Sequence, residues 1–318
     1  MFENLSYLAL QQYWYVIVSL LGAILVFLMF VQGGQTFIYT LGKTENQRTI
    51  IVNTLGRKWE FTFTTLVTFG GAFFASFPLF YATSFGGAYW VWMLILFAFV
   101  IQAVSYEFRS RASNFLGKKT FEAFLFLNGL LGTLLIGTAV ATFFSGSQFS
   151  LNEMNSVSWE TGARGLEAAL DPFNLMLGLT VFFLARVLGL LYFMNTIDHD
   201  EIIARSKKQL LINGIPFVVF FLTFAIWLML RDGFAYDPVT EVVSMESYKY
   251  LHNLIEMPLV LIMLLLGVVA VLWGIIQSLL KTTSKGIWFT GPGTILVVLS
   301  LFFLAGFNNT AYYPSSYD

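Results

Sequence analysis

The feature that most constrains this chain is a series of apolar runs of about 20 residues, each long enough to cross ~30 Å of hydrocarbon as an α-helix. Hydrophobic residues make up 57% of the 318 residues and charged residues 11%, whereas a soluble domain carries about 25% charged residues. One water-soluble core cannot bury that much apolar surface. The sequence therefore predicts an all-α polytopic membrane protein embedded in a lipid bilayer.

Eight membrane spans are predicted from these runs, and they divide into two halves of four. They cover roughly residues 13–40, 61–84, 88–107, 121–145, 173–195, 212–231, 257–280 and 287–307. Tryptophans near the predicted span ends are typical of interfacial aromatic belts, and they are Trp59, Trp90, Trp92 and Trp288. In the long loop between spans 4 and 5, the segment GLEAAL is predicted to form a short surface helix.

The distribution of cations predicts the orientation in the membrane. Of the 17 Lys and Arg residues, 13 fall in the loops between spans 1–2, 3–4, 5–6 and 7–8. Cytoplasmic loops collect cations, so these four loops are predicted to be cytoplasmic and the N-terminus external. The first residues, MFENLSYLAL, lack a basic region and a small-residue cleavage site, so we interpret them as a mature end and not as a signal peptide.

Composition also excludes several classes of chemistry. A net charge of −1 provides no basic face for nucleic acid. Without cysteine the chain has no disulfides, iron–sulfur clusters or thiolate metal sites. Its two histidines, His199 and His252, both fall outside the predicted hydrocarbon core, so the chain is a poor host for several buried haems. P-loop, GxSxG and HExxH motifs do not occur in the sequence.

Polar residues inside spans are costly and therefore become functional candidates. Gln32 and Gln35 in VQGGQTF share one helix face. With Gly33–Gly34 between them, they form either a packing seam of polar and small residues or a polar pathway. Glu60, at the predicted inner end of span 2, is either an anion that the helix dipole stabilises or a proton-accepting group at an aqueous entrance.

Charged residues near the same inner face form a predicted supporting network. Glu107 and Arg109 are two apart, so they are expected to reach different neighbours. Arg186 lies inside span 5 and must find an anion or a polar cavity. Glu60 and Glu107 are its candidate partners, and we favour a buried structural pair over direct catalysis.

On the predicted outer side, His252 and Glu256 open span 7 four residues apart. Two interpretations are open: they share a proton, or they cap the helix, which we favour. His199, in the cytoplasmic loop DHDE, is predicted to be solvated.

The run Thr68–Phe85, TFGGAFFASFPLFYATSF, resembles the second helix of subunit II of the cytochrome bd-type quinol oxidases. The family pattern there is close to T-x-G-G-A-x-F-A-x-[FW]-P-x-x-Y-A-x-x-F. Asn53-Thr54 and Trp59-Glu60 just upstream, YEFRSR at the end of span 3, DPF at the start of span 5 and YPSS near the C-terminus are similar to further family motifs. The resemblance covers essentially the whole chain.

The resemblance implies two four-helix bundles followed by a ninth helix. It implies bundles over residues 1–146 and 172–318, with an external loop over 147–171 between them. The implied protein is a haem-free subunit of the bacterial inner membrane. It binds no cofactor alone and partners a subunit I that carries two b-type haems and one d-type haem and oxidises quinol, with room for small accessory subunits.

Two departures from the family pattern carry consequences. The family's first helix commonly reads D-G-x-D, and here those acids fall at Gln32 and Gln35. An amide cannot carry a proton as a carboxylate does, so a proton role rests more on Glu60. The chain also stops at Asp318, and we expect a ninth helix of about 20 residues beyond it.

The resemblance implies a proton inlet. Oxygen reduction to water consumes protons, and a carboxylate on the cytoplasmic edge could admit them. The expected pathway comprises Glu60, Gln32 and Gln35, supported by Trp59, Glu107, Arg109 and Arg186. The alternative is a secondary transporter with a midplane site at the broken first helix, for which Gly33–Gly34 is the candidate.

Overall fold

A computed structural model describes residues 6–240, 242–281 and 284–317. Its helices are α1 (Tyr7–Leu28), α2 (Phe30–Gln35), α3 (Ile38–Leu41), α4 (Glu45–Gly56), α5 (Trp59–Ser76), α6 (Pro78–Tyr81), α7 (Tyr89–Phe108), α8 (Lys118–Ser145), α9 (Pro172–Thr196), α10 (Asp200–Leu230), α11 (Lys249–Glu256), α12 (Pro258–Leu280) and α13 (Ile287–Gly306). A π-helix covers Ala82–Gly87 and a 3₁₀ helix covers Leu166–Ala169, within the predicted surface helix.

Two short antiparallel hairpins accompany the helices. β1 (Phe149–Leu151) pairs with β2 (Val157–Trp159), and β3 (Gly233–Tyr236) pairs with β4 (Val243–Glu246). Both hairpins lie in the long loops that the cation distribution predicts to be external. The chain is therefore mostly helical, with a small strand content that the all-α prediction missed.

Seven helical stretches within the described residues are long and apolar enough to cross a membrane. They are Tyr7–Gln35, Tyr89–Phe108, Lys118–Ser145, Pro172–Thr196, Asp200–Leu230, Pro258–Leu280 and Ile287–Gly306. The predicted span 61–84 is not among them; its helix ends at Ser76 after 18 residues and a new helix starts at Pro78. The eight-span count and the two-bundle division at residues 146 and 172 therefore stay predictions.

Several predicted boundaries were wrong. The first span begins at Tyr7, six residues before the predicted start, and its helix is interrupted at Met29 and again at Thr36–Phe37. The predicted loop after it contains helix α4, which begins with a capping box formed by Thr44 and Gln47. Span 6 begins at Asp200, twelve residues early, so the cations assigned to the loop before it lie on the helix itself.

Helix packing brings the two predicted halves together. α9 packs against α8, α10 and α2, while α1 packs against α13 and α5. One large apolar cluster includes Phe73, Phe143 and Phe302 at the predicted external side. A second includes Phe37, Leu55 and Phe193 at the predicted cytoplasmic side. Between these clusters, glycines let α2 and α9 approach closely, since a Cβ added to Gly33 would lie 1.9 Å from the carbonyl oxygen of Ala185.

Candidate functional site

A polar pocket opens at the predicted cytoplasmic ends of α4, α5 and α7. Its volume is about 410 Å³. The residues that line it are Val52, Asn53, Gly56, Arg57, Trp59, Glu60, Tyr106, Glu107, Arg109 and Ser110. The structure thus brings together four of the seven residues that the sequence singled out: Trp59, Glu60, Glu107 and Arg109. We call this space the inner pocket.

The start of α5 positions the acidic side of the inner pocket. Arg57 and Lys58 form the turn between α4 and α5, and α5 begins at Trp59. The Trp59 indole stacks on the Tyr106 ring, with centroids 5.9 Å apart and planes 13° apart. Glu60 follows in the first turn of α5 and is exposed. Its charge is favoured there by the positive end of the helix dipole.

A buried ion cluster forms the basic side of the pocket. Arg109 donates to Glu122 Oε1 from Nη2 at 2.6 Å and from Nε at 3.2 Å. Arg48 Nε lies 3.3 Å from the second carboxylate oxygen of Glu122. Glu122 and Arg109 are only 1% and 2% exposed. The sequence analysis did not single out Glu122. It could have been found by the same criterion as Arg186, because Glu122 is a charged residue within an apolar run, between Phe121 and AFLFL.

Glu107 has a different partner from Arg109. It forms an ion pair with Arg111, four residues later on the same side of the chain, and both side chains are exposed. The expectation that Glu107 and Arg109 reach different neighbours is confirmed. Since exposed ion pairs contribute about 0–1 kcal/mol, this pair defines the rim of the pocket without anchoring it.

A seam of amide side chains continues from the inner pocket between α2 and α7. Gln35 Nε2 donates to the Tyr106 hydroxyl at 3.0 Å, and Gln32 Nε2 donates to Gln102 Oε1 at 2.8 Å. Gln102 and Tyr106 are four residues apart on α7 and Gln32 and Gln35 are three apart, so each pair lies on one helix face, about one turn apart. Gln32, Gln35 and Gln102 are fully buried. We call these four residues the amide seam.

The amide seam leaves buried polar atoms without hydrogen-bond partners among the described residues. These atoms are Gln32 Oε1, Gln35 Oε1 and Gln102 Nε2. Both amide atoms of Asn128 on α8 share this property, and the next residue, Gly129, packs against the carbonyl of Gln32. Buried polar groups are satisfied by protein or by ordered water in almost all folded proteins. The seam therefore has buried hydrogen-bonding atoms that the described protein groups do not satisfy.

Arg186 does not pair with Glu60 or Glu107, so both candidate partners were wrong. Its Nε donates to Asn213 Oδ1 at 2.7 Å and its Nη1 donates to Thr36 Oγ1 at 2.9 Å. The guanidinium carbon lies 4.1 Å from the centre of the Phe37 ring. Polar side chains and an aromatic face hold the cation where an ion pair was expected.

The histidines also differ from expectation. His252 Nδ1 lies 2.9 Å from Glu246 Oε1 on the external hairpin, whereas Glu256 accepts a hydrogen bond from Asn308 Nδ2 at 2.6 Å. The interpretation that His252 and Glu256 share a proton is therefore wrong. The favoured interpretation, that they cap the helix, is also wrong, since neither α11 nor α12 begins with a side-chain cap hydrogen bond. His199 precedes the first turn of α10 and is partly buried, so it is less solvated than predicted.

Nothing in the described ranges assembles a metal centre: no three His, Cys, Asp or Glu side chains there lie close enough to hold an ion. Neither histidine lies inside a membrane-spanning helix, since His199 precedes α10 and His252 lies in α11. Histidine ligation of a haem buried between these helices does not fit the residues present.

The family model and the similar proteins all point to one family. The sequence model of the family described as cytochrome bd terminal oxidase subunit II matches residues 10–317. "Probable cytochrome oxidase subunit 2" of Haemophilus influenzae is 29% identical over 271 residues, which are 82% of this chain and 70% of that protein. "Cytochrome bd-I ubiquinol oxidase subunit 2" of Escherichia coli K12 is 24% identical, with the same shares covered.

The solved structures add a match at the level of the fold. A chain of the bd oxidase from Geobacillus thermodenitrificans superposes with a TM-score of 0.62 at 16% identity. The match covers 93% of this chain and 83% of that one. At that identity the likeness shows the fold alone.

Proposed function

The chain belongs to the cytochrome bd terminal oxidase subunit II family, and we propose that it supports a haem-bearing partner subunit while admitting protons from the cytoplasm. The partner oxidises quinol and reduces oxygen to water, a reaction that consumes protons. Haem chemistry belongs to the partner in this proposal, because neither histidine of this chain stands inside a span. The whole complex resides in the bacterial inner membrane, with quinol as the electron donor.

The observation that carries the inlet is the continuity between the inner pocket and the amide seam. Tyr106 belongs to both, because its ring lines the pocket and its hydroxyl accepts from Gln35. Gln32 and Gln102 then extend the polar line one helical turn deeper. The unpartnered amide atoms along this line supply hydrogen-bonding sites for water. A chain of such waters is the medium through which a proton would move.

Glu60 is the proposed entry group. Of the two carboxylates that line the pocket, Glu107 is held in an ion pair with Arg111. Glu60 is exposed at the start of α5 and lies beside the aromatic stack that leads to Tyr106. Protons would therefore be collected at Glu60, with Trp59 and the Arg109–Glu122 pair fixing the pocket walls.

The test compares Glu60→Gln with Glu107→Gln in the complex purified through a tagged, full-length chain. Glu60→Gln should slow quinol oxidase turnover several-fold and leave the visible spectrum of the reduced haems unchanged, whereas Glu107→Gln should retain turnover. Proton uptake from the cytoplasmic side of proteoliposomes should fall together with turnover. Unchanged turnover in Glu60→Gln would place the inlet elsewhere. A wild-type preparation that contains no haem would contradict the oxidase assignment itself.

The transporter alternative rested on the break in the first helix, which the structure places at Met29 and Thr36–Phe37. At Gly33–Gly34 the helix is closely packed: a Cβ on Gly33 would overlap the backbone of Ala185, and one on Gly34 would approach Phe193 and Leu55 within 2.9 Å. The break therefore favours tight helix packing over a substrate site.

A further inference from the structure

An apolar slot separates α10 from α12 in the half of the membrane nearer the predicted cytoplasmic side. It lies between the α10 face that runs from Leu210 to Val219 and the α12 face that runs from Leu272 to Leu279, and its volume is about 330 Å³. Every residue that lines it is Leu, Ile, Val or Gly. We call this space the α10–α12 slot.

The slot exists because α10 and α12 do not close on each other. A Cβ added to Gly214 of α10 would lie 3.8 Å from Ile275 Cγ2, which is an ordinary van der Waals contact. On the other side of α12 the packing is tight, since a Cβ added to Gly274 would lie 2.2 Å from Thr290 Oγ1 of α13. Helix α12 therefore leans on α13 and leaves room beside α10.

The slot faces outward along its length. Leu211, Ile215 and Val219 line it and are 52%, 59% and 54% exposed. From Leu210 to Val219 the α10 axis rises about 14 Å, and one leaflet contributes about half of a hydrocarbon layer of ~30 Å. The slot thus has the depth of one leaflet and opens sideways to the surroundings of the chain.

A second apolar cavity extends the slot inward. Val218 and Leu272 line both spaces, and the inner one, of about 120 Å³, reaches Val26 of α1 and Thr294 of α13. The two spaces together suit a long, flexible hydrocarbon chain that enters between α10 and α12 from the bilayer.

Lysines stand at the predicted cytoplasmic mouth of the slot. Lys207 and Lys208 precede Leu211 by four and three residues, so they lie about one turn beyond the slot on the side of α10 that forms its wall. Lys208 is exposed and forms no ion pair within the described residues. The mouth is therefore a place where a cation awaits an anion.

A third lysine lies at the same level on α12. The chain leaves α10, forms the external hairpin and returns through α12, so the two helices are antiparallel. Since Gly214 faces Ile275, Lys208, six residues before Gly214, is level with Lys281, six residues after Ile275. No Asp or Glu occurs in residues 202–230 or 257–317, so neither helix supplies a carboxylate at this end.

We propose that the α10–α12 slot binds an acyl chain of an anionic phospholipid of the cytoplasmic leaflet, with the lipid phosphate at Lys207, Lys208 and Lys281. Basic pockets between membrane helices on the cytoplasmic side bind phospholipid head groups in this way. The lysines decide the occupant, because an uncharged chain such as a quinone tail fills the slot without using them. The site is separate from the inner pocket and the amide seam, so it does not depend on the proposed function.

The first experiment reads the occupant at the slot itself. A benzophenone amino acid replaces Ile215 in the complex purified through the tagged, full-length chain and reconstituted in equimolar phosphatidylglycerol and phosphatidylcholine. After illumination, mass spectrometry should find mainly phosphatidylglycerol adducts. Removing both charges, with Lys207→Gln and Lys208→Gln, should lower that preference roughly thirtyfold, which corresponds to about 1 kcal/mol per lysine.

The matched control is Lys118→Gln with Lys119→Gln, which removes the same charge at the start of α8, on the same predicted face. It should leave the preference unchanged. Adducts in proportion to the bulk lipids, or an equal loss of preference in both double variants, would overturn the inference. Adducts to quinone or to another polypeptide would overturn it as well.

A second measurement fills the slot and keeps the lysines. Gly214→Leu places a side chain in the space beside Ile275, where the added Cβ itself fits. Phosphatidylglycerol added to detergent micelles should raise the thermal unfolding midpoint of the wild-type complex and should not raise that of Gly214→Leu. An equal rise in both proteins would show that the lipid acts elsewhere and would overturn the inference.

Discussion

Removing the Glu122 carboxylate should destabilise the cytoplasmic end of the protein severely. Two arginines converge on this carboxylate, with Arg109 Nη2 at 2.6 Å and Arg48 Nε at 3.3 Å. Glu122 and Arg109 are almost completely buried, and Arg48 is 18% exposed. Glu122→Gln keeps the shape but leaves two guanidinium groups facing each other without an anion. Breaking a buried ion pair from one side costs about 3–5 kcal/mol.

The matched control is Glu107→Gln, one helix away at the same end of the protein. Its ion pair with Arg111 has side-chain exposures of 58% and 54%, and exposed pairs contribute about 0–1 kcal/mol. The two variants remove the same charge from the same face. They differ in burial and in the number of arginine partners, so the difference between them reports the buried cluster.

The assay is reversible unfolding of the purified chain in mixed micelles with increasing dodecyl sulfate, followed by helical circular dichroism. We expect Glu122→Gln to lower the free energy of unfolding by at least about 3 kcal/mol, which is more than a hundredfold in the unfolding equilibrium. The double variant Glu122→Leu with Arg109→Met should lose less than the sum of its single changes. If Glu122→Gln falls within about 1 kcal/mol of Glu107→Gln, the buried cluster does not anchor this end.

Two further perturbations test other parts of the structure. Gly33→Ala should disrupt the packing of α2 on α9, because the new Cβ would lie 1.9 Å from the Ala185 carbonyl oxygen. Gly71→Ala is the control and should be tolerated, because no atom lies within 4 Å of its Cβ position. Thermal unfolding of the two variants in detergent should show a lower midpoint for Gly33→Ala. The His252 hydrogen bond holds the pKa of Glu246 below its ordinary value of 4.5. The contact therefore stabilises the hairpin above pH 4.5 and is lost as pH falls through the lowered pKa, so the protection of the β4 and α11 amides, corrected for the intrinsic pH dependence of exchange, should fall at acid pH. Glu246→Gln should exchange faster at neutral pH and show a smaller acid step.

The membrane-spanning helices were predictable because an apolar run of about 20 residues has the length and hydropathy needed to cross the hydrocarbon layer. The predicted span ends were less accurate, since a helix can continue beyond the apolar run into polar residues. The first twelve residues of α10, DEIIARSKKQLL, are mostly polar yet helical, so an apolar window recognises only the later part. In the second span the helix breaks before Pro78 because a proline disfavours the helical conformation of the residue that precedes it. That residue, Phe77, has φ −138°.

The individual polar residues of the site could be identified from the sequence, but their hydrogen-bond partners could not. Gln32, Gln35 and Arg186 were recognisable because a polar group in a span is costly. Gln102, Asn128 and Asn213 carry the same signal within their helices. Their partners depend on which helices are neighbours: Gln32 and Gln102 are 70 positions apart, and Arg186 and Thr36 are 150 apart. Spacing along one helix cannot supply such contacts, so nearness in sequence misled the choice of partner for Arg186.

The two glutamines limit what the amide seam can do chemically. A carboxylate at positions 32 and 35, as in the resembling family pattern, could take up and release a proton within the membrane. An amide can only orient water, because it does not titrate near neutral pH. In this chain a proton route would therefore have one titrating group at its entrance, Glu60, followed by a neutral interior of Tyr106 and amides. Replacing Glu60 removes the proposed entry group of that route, and the amides at positions 32 and 35 could not take over its titration, so turnover in Glu60→Gln should fall several-fold.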